Sequence, residues 1–274
     1  MTRNHVVVNH NELFLSGVTK GANMRKQSAV WIPAIMVCAA ALIALPSPGH
    51  GSARPRPDPT TVPSGAHSRQ FASWYALCAQ RVTRAHGKCN IIFIGDSITQ
   101  NFESRPSGGW YSVGYKVWDK YYAPRHAVDF GVGADGTEHV LWRLIHFHIH
   151  HLHPKVAVIL IGTNDTQYAP RQIAAGVRAV IIKTRRVFHG VKIILVSLTP
   201  TWRNTAKIVA TNRIIRHFAD NRNVFYFNLY ALMPRVGNSW KGLGPDKLHL
   251  TEKGYAIWAT HMQPLLNRLL GRGK

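Results

Sequence analysis

The chain has 274 residues, 46% of them hydrophobic, which fits one well-cored domain with extensions and excludes a string of several domains of ordinary size. Its 34 Lys and Arg against 12 Asp and Glu give a formal charge of +22. Such a balance favours anionic surroundings such as acidic polysaccharide, lipopolysaccharide or anionic lipid, and no recognised nucleic-acid motif accompanies it, so nucleic acid is set aside as a partner.

Residues 1–53 read as an N-terminal extension. Met24-Arg25-Lys26 precede an apolar run from Ala29 to Leu45, and a tail of small residues follows from Pro46 to Ala53. Positive start, apolar middle and small-residue end are the pattern of a secretory signal peptide. The alternative is an uncleaved anchor through residues 29–45, since a run of about 17 residues is the lower limit for a span. Either reading implies an exported protein, periplasmic or extracellular. Residues 54–70 are rich in Pro, Ser and Thr without apolar periodicity, and are expected to be a flexible tether. The folded domain is expected over 71–274.

A helix is expected from Phe71 to Thr83, and Cys89 leads into the first strand. In an oxidising compartment Cys78 and Cys89 could form a disulfide pinning that helix to the sheet; two buried thiols are the other reading. Ile91-Ile92-Phe93-Ile94 is a continuous apolar run, as in a strand buried on both faces of a parallel sheet. It ends in Gly95-Asp96-Ser97-Ile98. Ser97 therefore falls at the carboxyl end of a strand, the edge of an open α/β sheet where ligands bind. His126 to Phe130 is the second expected strand, followed by Gly131-Val132-Gly133-Ala134-Asp135. That loop lets backbone donors approach a substrate, and its spacing does not match the dinucleotide fingerprint.

Helix is expected from Thr137 through the histidine-rich stretch His146 to His153. His146, His150 and His153 would then share one face, as zinc ligands could, but no acidic ligand is near, and a solvated helix face is the reading adopted. No metal is expected. The third strand, Val156 to Ile161, ends in Gly162-Thr163-Asn164-Asp165, where an Asn side chain can meet a developing oxyanion. Helices over 173–188, 206–219 and 252–270 alternate with strands over 191–198 and 224–228, which predicts a doubly wound parallel sheet. Thr201 and Trp202, just past the fourth strand, are candidate pocket residues, and Trp240 is a candidate for the leaving-group side. Asp246 and His249 lie three apart before the last helix. At that spacing the carboxylate can hold one ring nitrogen while the other faces Ser97, the arrangement of a Ser-His-Asp site.

Taken together, the four blocks resemble those of the SGNH (GDSL-type) serine esterases and lipases. Within that family, Val128 to Gly133, His139 to Leu144, Pro154-Lys155-Val156 and Asp246 to Thr251 are similar to the catalytic subunits of intracellular platelet-activating-factor acetylhydrolase. The resemblance implies a three-layer α/β/α sandwich with a five-stranded parallel sheet in flavodoxin-like order. It implies Ser97 as nucleophile, Asp246 and His249 as its partners, and an oxyanion hole of Ser97 N–H, Ala134 N–H and Asn164. It also implies a short, acetyl-type acyl group on a carbohydrate or lipid, no cofactor, and a tendency to homodimerise. One departure stands out: alanine (Ala134) occupies the family's oxyanion glycine position. If φ is positive there, the added Cβ costs on the order of 1 kcal/mol. Acyl transfer to an envelope glycan, or a silent envelope-binding module, are the competing readings.

Overall fold

The computed structural model describes residues 57–65, 71–105 and 113–271. The signal or anchor segment and the ends of the tether lie outside them. Five parallel strands form the central sheet: β1 (Ile91–Gly95), β2 (Ala127–Gly131), β3 (Val156–Leu160), β4 (Lys192–Val196) and β5 (Val224–Phe227), in spatial order β2-β1-β3-β4-β5. Among the described residues seven α-helices accompany them: α1 (Ala72–Arg84), α2 (Ser97–Glu103), α3 (Tyr115–Tyr121), α4 (Thr137–His146), α5 (Pro170–Val187), α6 (Thr205–Ile215) and α7 (Glu252–Leu269). The expected α/β/α sandwich is the observed fold.

Because β1 and β3 are apolar at every position, they can be covered on both faces. Ile92, Ile94, Ala157 and Ile159 face a core shared with α1, α4, α5 and α6. Phe93, Val156 and Val158 face the other core, built on α2, α3 and α7. There Phe93 packs edge-on against Phe102, Trp118 and Tyr122. All five strands run the same way, so the ends of β1, β2 and β3 present their loops at one edge, aligned as Gly95 beside Gly131 and Leu160. Gly95 is required by space: a Cβ would run into the Thr99 side chain and the Leu160 carbonyl.

Three expectations need correction. First, part of the supposed tether is docked. Residues 59–61 form a 3-10 turn, and Thr60, fully buried, donates to the Gln172 carbonyl and accepts from Thr137. Second, Cys78 and Cys89 are separate buried thiols, not a disulfide. Cys78 lies beside the Arg143 guanidinium at 3.9 Å, and Cys89 donates to the Ile91 carbonyl at 3.3 Å; burial pushes both thiols up to about 12. Third, α4 stops at His146. Phe147 turns to extended backbone, and Ile149 and Leu152 are drawn fully into the core, so His146, His150 and His153 share no helix face. Among the described residues no group of three or more His, Cys, Asp or Glu is placed to hold a metal. No described helix is long and apolar enough to cross a membrane.

Candidate active site

Asp96 caps α2, its Oδ1 accepting from the Ile98 N–H at 2.9 Å. That cap makes Ser97 the first helical residue, where backbone N–H groups lack intrahelical acceptors. Across the edge, Asp246 closes a local turn by accepting from the N–H groups of Leu248 and His249, both at 3.1 Å. Lys247 holds a positive φ of 51° in that turn, and the Trp202 N–H donates to its carbonyl. The turn brings His249 Nδ1 to 2.5 Å from Asp246 Oδ2, and His249 Nε2 to 2.8 Å from Ser97 Oγ. An ionised carboxylate only accepts, so Nδ1 carries the proton and Nε2 is left to accept from the serine hydroxyl. Residues 152 positions apart in sequence thus form one hydrogen-bonded chain.

The second block faces this chain. Gly133 N–H is already used by Gln100 Oε1 at 2.5 Å. The N–H groups of Ser97 and Ala134 meet no protein acceptor among the described residues. Asn164 Nδ2 donates one hydrogen to the Asp135 carbonyl at 3.0 Å, leaving its second for another acceptor. Ser97, Ala134, Asn164 and His249 all line one cavity of about 770 Å³. Three spare donors beside a hydroxyl paired with an imidazole are the components of acyl transfer. Ala134 has φ of +61°, so the added Cβ does sit in the left-handed region, at a cost of about 1 kcal/mol.

Residues without an assigned role in the sequence hold this loop in place. Arg143 is wholly buried. Its Nε binds Asp135 Oδ2 at 2.7 Å, Nη1 the Phe130 carbonyl at 2.6 Å and Nη2 the Gly95 carbonyl at 3.0 Å. Asp135 also accepts from the Tyr75 hydroxyl at 3.3 Å. One guanidinium therefore joins the ends of β1 and β2 to the residue after Ala134. Asp165 caps α4 at the Thr137 N–H. Burial pushes the carboxyls of Asp96 and Asp165 up to about 7.

The pocket residues expected past β4 are misplaced by one or two positions. Thr201 is buried and accepts from the Arg203 N–H, while Trp202 points to solvent at 61% exposure. Neither lines the cavity; Arg203 does. The turn made by Thr201 explains this, because it swings Arg203 back over the site, where Nη1 donates to Asn164 Oδ1 at 2.8 Å. Trp240 packs on the α7 side of the core and lies away from the cavity. The apolar wall is instead Trp74 and Leu77 of α1.

Comparisons with known proteins agree with this architecture. The model of the GDSL-like Lipase/Acylhydrolase family matches residues 93–257. Platelet-activating factor acetylhydrolase IB subunit alpha2 of Bos taurus is 34% identical over 190 residues, covering 66% of this chain and 77% of its own. The alpha1 subunit of Rattus norvegicus is 27% identical over 188 residues with the same coverage. Among solved structures, a putative acylhydrolase from Bacteroides fragilis superposes with a TM-score of 0.56 at 20% identity, over 70% of this chain and 95% of its own. A GDSL-like lipase from Bacteroides thetaiotaomicron gives 0.56 at 19%, over 71% and 98%; these two likenesses concern the fold. The chain belongs to the GDSL-like lipase/acylhydrolase (SGNH) family and is a hydrolase of carboxylic esters.

Proposed function

We propose that this protein is an exported serine esterase that removes a short acyl group, most simply acetyl, from a carbohydrate or lipid. Ser97 is the nucleophile, His249 the base and then the acid, and Asp246 the residue that fixes the imidazole. His249 Nε2 takes the Ser97 proton as Oγ attacks the ester carbonyl. The oxyanion rests on Ser97 N–H, Ala134 N–H and Asn164 Nδ2. His249 returns the proton to the leaving alkoxide, and the acyl-enzyme is then hydrolysed by water activated at the same nitrogen. The observation that carries this reading is the unbroken chain Ser97–His249–Asp246, with links of 2.8 and 2.5 Å, beside unused donors in a cavity.

The acetyl preference is supported by relatives named as acetylhydrolases. Export is supported by the apolar run after Met24-Arg25-Lys26. The +22 charge supports anionic envelope polymers as surroundings, and homodimerisation follows the subfamily resemblance. The test is Ser97→Ala, assayed on p-nitrophenyl acetate and probed with a fluorophosphonate. Turnover should fall by at least about 10³-fold and labelling should vanish, with melting behaviour retained. Full activity in that variant would remove Ser97 from the mechanism.

A further inference from the structure

Four arginines line the cavity: Arg81, Arg84, Arg105 and Arg203. Three are engaged with carboxylates. Arg81 is buried against Glu103 at 3.1 Å and Asp129 at 3.5 Å. Arg105 pairs with Asp119 at 2.8 Å, and Arg84 lies 3.8 Å from Glu103. Arg203 differs. Among the described residues it has no carboxylate within ion-pair distance, and its side chain makes one hydrogen bond, from Nη1 to the neutral Asn164 Oδ1. A guanidinium carries five N–H donors and accepts nothing. Four donors of a permanent cation therefore remain open in an exposed side chain that lines the same cavity as Ser97 and His249.

We infer that Arg203 is an anion-binding subsite, and that the enzyme prefers esters bearing a carboxylate, phosphate or sulfate close to the scissile bond. This inference rests on the catalytic reading above. The Asn164 amide joins the two functions: its Nδ2 faces the oxyanion position and its Oδ1 holds Arg203. Ordinary hydrogen-bond lengths then put the guanidinium roughly 6–8 Å from the reacting oxygen, so the anionic group lies only a few bonds from the ester. Arg is suited to this task because its planar fork matches carboxylate and phosphate oxygens two at a time. The wall of Trp74 and Leu77 remains for the uncharged part of the substrate.

Two matched pairs of esters test the subsite and locate the charge. On the leaving-group side the pair is 4-acetoxybenzoate against 4-acetoxybenzamide. On the acyl side it is the p-nitrophenyl monoester of adipate against p-nitrophenyl hexanoate. In native protein at low salt, the anionic member of at least one pair should show kcat/KM about tenfold above its neutral partner. Arg203→Gln should bring that ratio to about one, and Arg203→Lys should keep most of it. A native ratio near one in both pairs would overturn the inference, as would a ratio unchanged in Arg203→Gln. An equal fall for both members of a pair would assign Arg203 to holding Asn164 alone, which also overturns it. Failure of the catalytic reading looks different: the neutral esters would not turn over and a fluorophosphonate would leave Ser97 unlabelled.

Discussion

The two sides of the site are built by different means. The side carrying Ala134 and Asn164 is braced from beneath. Arg143 and Asp135 are both fully buried, and their partners come from α1, β1, β2 and the third block. The side carrying His249 is a turn near the surface, held largely by bonds between close neighbours in sequence, such as Asp246 to Leu248 and Gly244 to the His249 carbonyl. His249 and Asp246 side chains retain 13% and 24% exposure. In the proposed mechanism the donors that would stabilise charge need fixed positions, because reorganisation at the moment of reaction weakens them. In the proposed mechanism His249 also has to shuttle a proton, and a local turn over a firm sheet edge is enough to aim it. Damage on the first side should therefore appear in both stability and rate, and on the second in rate alone.

Asp246→Asn gives the largest separation. Turnover should drop on the order of 10³- to 10⁴-fold through the wrong imidazole tautomer, while the denaturation midpoint stays close to native. A large loss of stability would show that the turn carries structural weight. Arg143→Met should instead lower both stability and rate, because it leaves Asp135 buried without the guanidinium that braces the Ala134 loop. Breaking a buried pair in this way costs about 3–5 kcal/mol, read by urea unfolding. A smaller pH effect follows from Asp165. Burial holds its carboxyl up at about 7, so between the ordinary carboxylate range and pH 7 the folded state binds more protons than the unfolded one. Its contribution to stability is lost as pH rises through that window. Asp165→Asn keeps the cap on Thr137 and should gain stability relative to native between about pH 4 and 7, measured by paired melts; a constant difference would refute the shift. The smallest effect is expected for Ala134→Gly. Relief of the left-handed Cβ, about 1 kcal/mol, is offset by glycine's greater freedom when unfolded, about 0.5–1 kcal/mol. The midpoint should therefore rise only slightly.

Much of the scaffold was legible because the inner parallel strands, buried on both faces, leave unmistakable apolar runs, and all five strands appear close to where the sequence places them. The four blocks were legible because each is a strand end bearing chemistry-capable side chains. Short elements were not. α2 and α3 have seven residues each, too few to establish a helical period. The hairpin of β6 (Arg235–Val236) and β7 (Ser239–Trp240) has two-residue strands, too short for alternation. Arg143 escaped because a basic helix residue ordinarily faces water. Its position three after Val140 and one before Leu144, both fully buried, was the available signal that it points inward. Arg203 could not be read at all, since its place depends on how the loop after β4 turns back over Asn164.

Thr60 has a practical consequence for anyone trimming this polypeptide. Gly176 is bare where a Cβ would strike both Thr137 and Thr60, so three segments share a single close-packed spot at the start of α4 and the second turn of α5. A recombinant protein beginning at Phe71 would strip away one of the three and open the Thr137 hydroxyl to water, a few residues from Asp135. The working boundary of the catalytic unit belongs upstream of Asp58.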